Sequence, residues 1–441
     1  MNRFAFIGAT AALGSTAGIA PAIAQSPPSA LAAGTPTSAR AGDAFFTDAP
    51  MNFIFLIVLG GVYYGVGDVG TALAMINEVV DGDSGSAYAA LNAYGERAYS
   101  AADSALKAGH RISARSYYLQ ASNYIFASTY FCDGMGAPDK MVPTWQRSRT
   151  ALDAAFALFD RPVEHVNIPY EGTTLPGYFI KPDGSPQPRP LFIIANGSDA
   201  SVLDMWVQGG ASAIDRGYNV LIFDGPGQGA ALWLQHLHFR PDFERVVTPV
   251  VDFALRRPDV DSKRMVLQGI SQGGYWAPRA MAFEHRIAAG IADPGVYDVS
   301  ATWYAGLPPP LIRLLDAGNK AAFDHAFIGN MSAHPKSQAD YAFRSRPFGL
   351  DSPFDVFTAV KQYTLAGLVD RITAPLLITD PDNEQFFPGQ PRELFEKLPG
   401  TKKAIVRFTA AEGANHHCEP AAPGLRSLRV FDWLDTTLAQ I

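Results

Sequence analysis

A mostly parallel α/β sheet clothed by helices, preceded by an all-helical region, is the architecture that this 441-residue chain encodes. Beyond residue 161, short runs apolar at successive positions alternate with helix-length segments. A strand without polar alternation is buried on both faces, which is how a parallel sheet between two helical layers reads. Before residue 161 the periodicity is helical, with Ala-rich stretches and few β-branched clusters. At about 150 residues per domain, the length supports two to three domains and a large core.

Met1-Asn2-Arg3 carries one positive charge, residues 4–20 are small and apolar, and Ala22-Ile23-Ala24 has the small-x-small form of a cleavage site. Residues 1–24 therefore read as an export signal, placing the protein in the periplasm or outside the cell; a cytoplasmic protein with an Ala-rich tail is the alternative. Residues 25–42, rich in Ser, Pro, Ala and Thr, read as a flexible linker. The apolar run at 53–59 is seven residues long and followed by glycines, whereas a membrane span needs about twenty apolar positions. It is expected as a buried helix within a helical domain over 43–160, and no membrane span is expected.

The catalytic domain is expected over 161–441. A hairpin joins 164–168 to 175–180, and strands follow at 191–195, 220–223, 265–267, 287–291, 376–378 and 404–406, with a helix at 275–284. About eighty residues separate the strand near 292 from that at 376. Connections of that length tend to be lids, and a lid-like insertion is expected at about 299–365.

Composition narrows the function. Apolar residues are 48% of the chain and charged residues 17%, which excludes wholesale disorder. Net charge is −7, so no general attraction to nucleic acid exists, and a small-molecule substrate is expected instead. The two cysteines, Cys132 and Cys418, form no C-x-x-C pair, which excludes zinc ribbons and iron–sulfur clusters and leaves one disulfide arithmetically open. The turn Asp224-Gly225-Pro226-Gly227-Gln228-Gly229 lacks the Lys-Ser or Lys-Thr of a nucleotide loop and reads as structural. His236 and His238 have no partner at ligand spacing, so neither metal nor cofactor is expected.

The chemistry-bearing signal is Gly269-Ile270-Ser271-Gln272-Gly273, between a strand and a helix. Small residues around the serine permit a sharp turn that lifts its hydroxyl above the sheet edge, making Ser271 the candidate nucleophile. An ordinary serine needs a base to take its proton and an acid to orient that base, and on such turns they follow in that chain order: serine, acid, histidine. Asp380, Asp382 and Glu384 follow the strand at 376–378, and His416 and His417 follow the last strand. An oxyanion needs preorganised donors. They are expected from the amide of Gln272 and from that of Gly197 or Ser198, in the loop after the strand at 191–195. Tyr275, Trp276 and Trp303 are candidate pocket walls for a hydrophobic or aromatic substrate, and Arg279 is open to an ion pair or a substrate contact.

With these stretches, together with Gly67-Asp68-Val69-Gly70, residues 108–115 and Glu412-Gly413-Ala414 followed by His417-Cys418, the chain resembles the α/β-hydrolases that carry an N-terminal helical domain. That group contains 2,6-dihydroxypseudooxynicotine hydrolase and polyketide-processing hydrolases. The resemblance implies a serine-dependent triad, a pocket between helical domain and core, and commonly a homodimer. The His-Cys pair that ends the family's last motif implies His417 as base. The acid four residues before a proline, here Pro388, implies Glu384 ahead of Asp382 and Asp380. Relatives carry Glu after the D-G-P-G-Q-G turn where this chain has Ala230, so no role of that carboxylate is carried over. The reading is a serine hydrolase cleaving an ester, or a carbon–carbon bond beside a ketone. The alternatives are a peptidase or aminopeptidase on the same core, which needs an acidic anchor for the substrate amine, and a non-catalytic binding protein.

Overall fold

The computed structural model describes residues 45–400 and 402–440; the expected export signal, the linker and the first two residues of the helical region lie outside the described residues. Among the described residues eight strands form one sheet: β1 (Val163–Tyr170), β2 (Thr173–Ile180), β3 (Arg189–Ala195), β4 (Asn219–Phe223), β5 (Val260–Ile270), β6 (Ala289–Asp293), β7 (Leu376–Pro381) and β8 (Lys403–Phe408). Their order is β1-β2-β4-β3-β5-β6-β7-β8. The β1–β2 and β2–β4 pairs are antiparallel and the others parallel. Every residue of β4, β6 and β7 is buried, while β1, at one edge, alternates buried with exposed. The uninterrupted apolar runs thus mark strands covered on both faces.

Most strand limits lie a few residues from those the periodicity gives, and two of the differences have a plain cause. The sixth strand starts at Ala289 rather than 287, because its parallel pairing with β5 begins at Val266↔Ala289. The fifth extends back to Val260 through an exposed stretch at 262–264 that apolar counting misses.

Among the described residues five α-helices precede the sheet: α1 (Ala49–Gly60), α2 (Val69–Asn77), α3 (Ser84–Lys107), α4 (Arg111–Ser128) and α5 (Met141–Phe156). Asp48, Asp68 and Asp83 cap the first three by accepting amide N–H bonds. Phe46, Phe55, Val58, Met75, Leu91 and Tyr124 give this layer a core of its own. A second cluster joins Tyr118, Leu152 and Phe156 to Tyr178 and Ile180 of β2, seating the layer against the sheet.

Between β6 and β7 the chain forms helices Val299–Ala305, Pro309–Asp316, Lys320–Ser332, Pro335–Ser345 and Pro353–Val360. Leu311, Leu315, Phe323, Phe327 and Phe357 pack them into a separate small core. Among the described residues no helix is long and apolar enough to cross a membrane.

Candidate active site

β5 ends at Ile270 and the helix Gly273–Met281 starts three residues later, leaving Ser271 at the turn with φ of 56°. A left-handed conformation costs a residue with a Cβ about 1–3 kcal/mol and persists only where its surroundings enforce it. Here the Ser271 amide donates to Asp293 O at 2.6 Å. Gly197 presses in from the β3 loop: a Cβ there would lie 2.7 Å from Ser271 Cβ.

His417 Nε2 lies 2.8 Å from Ser271 Oγ, and its Nδ1 lies 2.8 Å from both carboxylate oxygens of Glu384. Both partners of that second contact are buried. Glu384 Oε1 also accepts the amides of Phe386 and Phe387 at 2.8 and 2.9 Å, so the carboxylate is fixed by backbone donors. With Glu384 accepting from Nδ1–H, Nε2 is left as an acceptor facing the serine hydroxyl. Gln385 Oε1 accepts the His417 amide, and the edge of Phe386 closes over the imidazole at 4.6 Å between centroids.

The competing candidates are held elsewhere. Asp382 pairs with Arg407 at 2.5 Å and Asp380 with Arg392 at 2.9 Å. His416 is half-buried, its Nδ1 3.4 Å from Asn383 Nδ2. Of the two β3-loop amides, that of Gly197 donates to Asn196 Oδ1 at 2.8 Å; Ser198 and Gln272 line the cavity beside Ser271.

That cavity encloses about 690 Å³ between the helical layer, the sheet edge and the helices that follow β6. Trp303 lies on its wall, whereas Tyr275 and Trp276 do not. The helix after Ser271 turns both into the core. The Tyr275 hydroxyl donates to Pro241 O at 2.8 Å, and Trp276 Nε1 donates to Arg240 O at 3.1 Å while its ring stacks on Phe243. Both aromatics are corrected from pocket wall to core packing; their nearness in sequence to Ser271 carried no information about facing. Arg279 forks onto Glu244 at 2.9 and 2.8 Å, an ion pair. Cys132 and Cys418 are buried free thiols.

Sequence reasoning missed Phe53 and Ile54 of α1, Trp145 of α5, and Phe343 and Phe386, all of which line the cavity. The run at 53–59 is apolar all round, so no polar face signalled which side would look inward. Among the described residues no three His, Cys, Asp or Glu side chains gather as a metal site.

No family model matches the chain. It is 32% identical to the alpha/beta hydrolase xenA of Xenoacremonium sinensis, over 88% of this chain and 97% of that protein. It is 31% identical to the hydrolase ORFZ of Pyricularia oryzae, over 89% and 97% of the two chains. The 20-hydroxy-prefusarin hydrolase FUS2 of Gibberella moniliformis is 29% identical over 88% and 96%. The chain therefore belongs to the α/β-hydrolase family and is a hydrolase. Its fold is shared by 2,6-dihydroxy-pseudo-oxynicotine hydrolase, with a TM-score of 0.66, 17% identity and 85% and 94% of the two chains covered. AbyA5 superposes with a TM-score of 0.56 at 15% identity, covering 84% and 94%. Both the relatives and the solved structures agree with the resemblance read from the sequence motifs.

Proposed function

We propose that this enzyme is a serine hydrolase that cleaves an ester, or a carbon–carbon bond adjacent to a ketone, in a small hydrophobic or aromatic molecule. The carrying observation is the continuous contact from Ser271 Oγ through His417 to Glu384, at 2.8 Å on each side of the imidazole. His417 removes the Ser271 proton as the oxygen attacks a carbonyl carbon, and the amides of Gln272 and Ser198 hold the resulting oxyanion. His417 then returns the proton to the leaving group, an alkoxide oxygen for an ester or an enolate carbon for a β-diketone, and water repeats the sequence on the acyl-enzyme. Glu384 keeps the imidazole in the required tautomer. The aromatic wall of Phe53, Trp145, Trp303, Phe343 and Phe386 supports an apolar substrate, and the pattern of residues 1–24 supports export.

A fluorophosphonate label followed by peptide mapping tests the reading: Ser271 is expected to carry the label, and labelling elsewhere or not at all refutes it. A panel of nitrophenyl esters, aryl β-diketones and aminoacyl anilides then ranks the bond types; preference for the anilides would transfer the assignment to a peptidase.

A further inference from the structure

The turn after β4 supplies no atom to the triad, yet it is among the most tightly built segments of the molecule. Asp224 is buried, and its Oδ2 accepts the Ala230 amide at 3.0 Å and the guanidinium of Arg149, on α5, also at 3.0 Å. Gly229 has φ of 41°, and a Cβ on it would lie 2.2 Å from Asp224 Oδ1, so the turn closes only around a glycine. These contacts fix where Gln228 starts.

The Gln228 side chain, 3% exposed, uses both ends of its amide. Its Oε1 accepts the Gly225 amide at 2.9 Å, and its Nε2 donates to the carbonyl oxygens of Asn196 at 3.1 Å and Gly197 at 2.8 Å. The reverse orientation would set an oxygen against two carbonyls, so the donor end is fixed by its partners. Gly197 C=O and Ser198 N–H belong to one planar trans peptide, in which the two bonds point to opposite sides. Holding that oxygen on Gln228 therefore turns the Ser198 N–H away from Gln228. The N–H of the preceding peptide, that of Gly197, is committed to Asn196 Oδ1, which leaves the Ser198 N–H as the donor of this pair.

We infer that Gln228 is the positioning residue of the oxyanion loop, presetting the Ser198 amide for the charge that develops on the substrate oxygen. This rests on the hydrolytic reading above. A peptide free to rotate would have to be reoriented during each turnover, losing the advantage of a donor already in place. The D-G-P-G-Q-G stretch is thereby a strut from the helical layer, through Arg149 and Asp224, to the oxyanion loop.

The test uses Gln228→Leu and Gln228→Glu in the full chain, with an aryl boronic acid, which adds to the serine as a tetrahedral anion, as the probe. For Gln228→Leu, kcat on a nitrophenyl ester is expected to fall about 10²-fold, KM to stay within about threefold, and boronate affinity to weaken in parallel with kcat. A folded variant whose kcat and boronate affinity both stay within about threefold of the parent overturns the inference, as does a loss carried by KM alone. Gln228→Glu covers the case in which leucine prevents folding. Its activity relative to the parent is expected to rise as pH falls through the carboxylate range, because protonation restores one donor. A ratio independent of pH overturns the inference. Failure of the parent to take a fluorophosphonate on Ser271 would instead refute the hydrolytic reading itself.

Discussion

The floor and the roof of the cavity are held by different forces. On the floor, the Ser271 turn, the strand β7 that leads to Glu384 and the loop that carries His417 converge on Asp293. Its backbone oxygen accepts the Ser271 amide and the Cys418 thiol, at 2.6 and 3.2 Å. Its carboxylate takes Thr379 Oγ1 at 2.8 Å and Arg426 at 2.9 Å, all within the core. The roof is fastened by ion pairs at the rim. The helix Pro335–Ser345 and the residue after it supply Lys336, Arg344 and Arg346, which meet Asp48, Asp199 and Asp133 respectively. The side chains of those three cations are 67%, 31% and 27% exposed, against 4% for His417. Their acids are 8%, 26% and 7% exposed; salt weakens such partly exposed ion pairs, whereas buried hydrogen-bonded contacts open only with the surrounding core. The Ser271–His417–Glu384 contacts are therefore held by the core, and the helices above them by ion pairs nearer the surface.

Breaking the floor has the largest expected effect. Ser271→Ala and His417→Ala should each lower kcat by roughly 10⁴–10⁶-fold, while His416→Ala should stay within about threefold. Steady-state kinetics on a nitrophenyl ester decides the matter, and exchanged outcomes for the two histidines would move the base to position 416. Glu384→Gln, which removes the carboxylate that selects the tautomer, should cost about 10⁴-fold; Asp382→Asn and Asp380→Asn, each breaking only an arginine pair, should stay within about tenfold. A large loss in either of the latter two with little in Glu384→Gln would relocate the acid.

This contrast also explains what could be read from the chain. The contacts of the floor were legible because the proposed chemistry demands a local pattern: a serine between small residues after a strand, and an acid and a histidine at the ends of later strands. The pairings that separate Glu384 from Asp382 and Asp380 join residues 12 to 33 positions apart, so composition alone left three acids open. The roof was legible only as a long connection. Which aromatics face inward depends on how α1, α5 and the post-β6 helices dock, and that follows from tertiary packing. Tyr275 and Trp276 show the cost of ignoring it: four and five positions after Ser271, they belong to the core.

Loosening the roof should produce a smaller and more selective effect. Removing the pair between Arg346 and Asp133, whose contacts are 2.6 and 3.1 Å, by Asp133→Asn is expected to raise kcat/KM for a bulky naphthyl ester by about two- to fivefold. Nitrophenyl acetate should be unaffected. Raising salt should mimic the variant in the parent and do little in the variant itself. An equal response from both esters would mean that the roof does not control entry.

The smallest expected effect on turnover comes from beneath the floor, and it is read as stability. Glu419 is fully buried beside Asp293, and neither of its carboxyl oxygens has a donor facing it. Burial, with the charge of Asp293 added, holds its carboxyl well above the usual carboxylate range. The folded chain therefore keeps a proton that the unfolded chain releases once pH passes that range. Because the native state then binds more protons, stability falls as pH rises from the unfolded pKa toward the folded one, by up to about 1.4 kcal/mol per pH unit. Glutamine occupies nearly the same volume and needs no proton. Glu419→Gln should thus gain stability over the parent progressively as pH rises over the interval above the ordinary carboxylate range, in urea titrations followed by tryptophan fluorescence. A difference that stays flat across that interval would show that the Glu419 carboxyl already titrates in the folded protein as it does in the unfolded chain, and that the floor is less sealed from solvent than its packing implies.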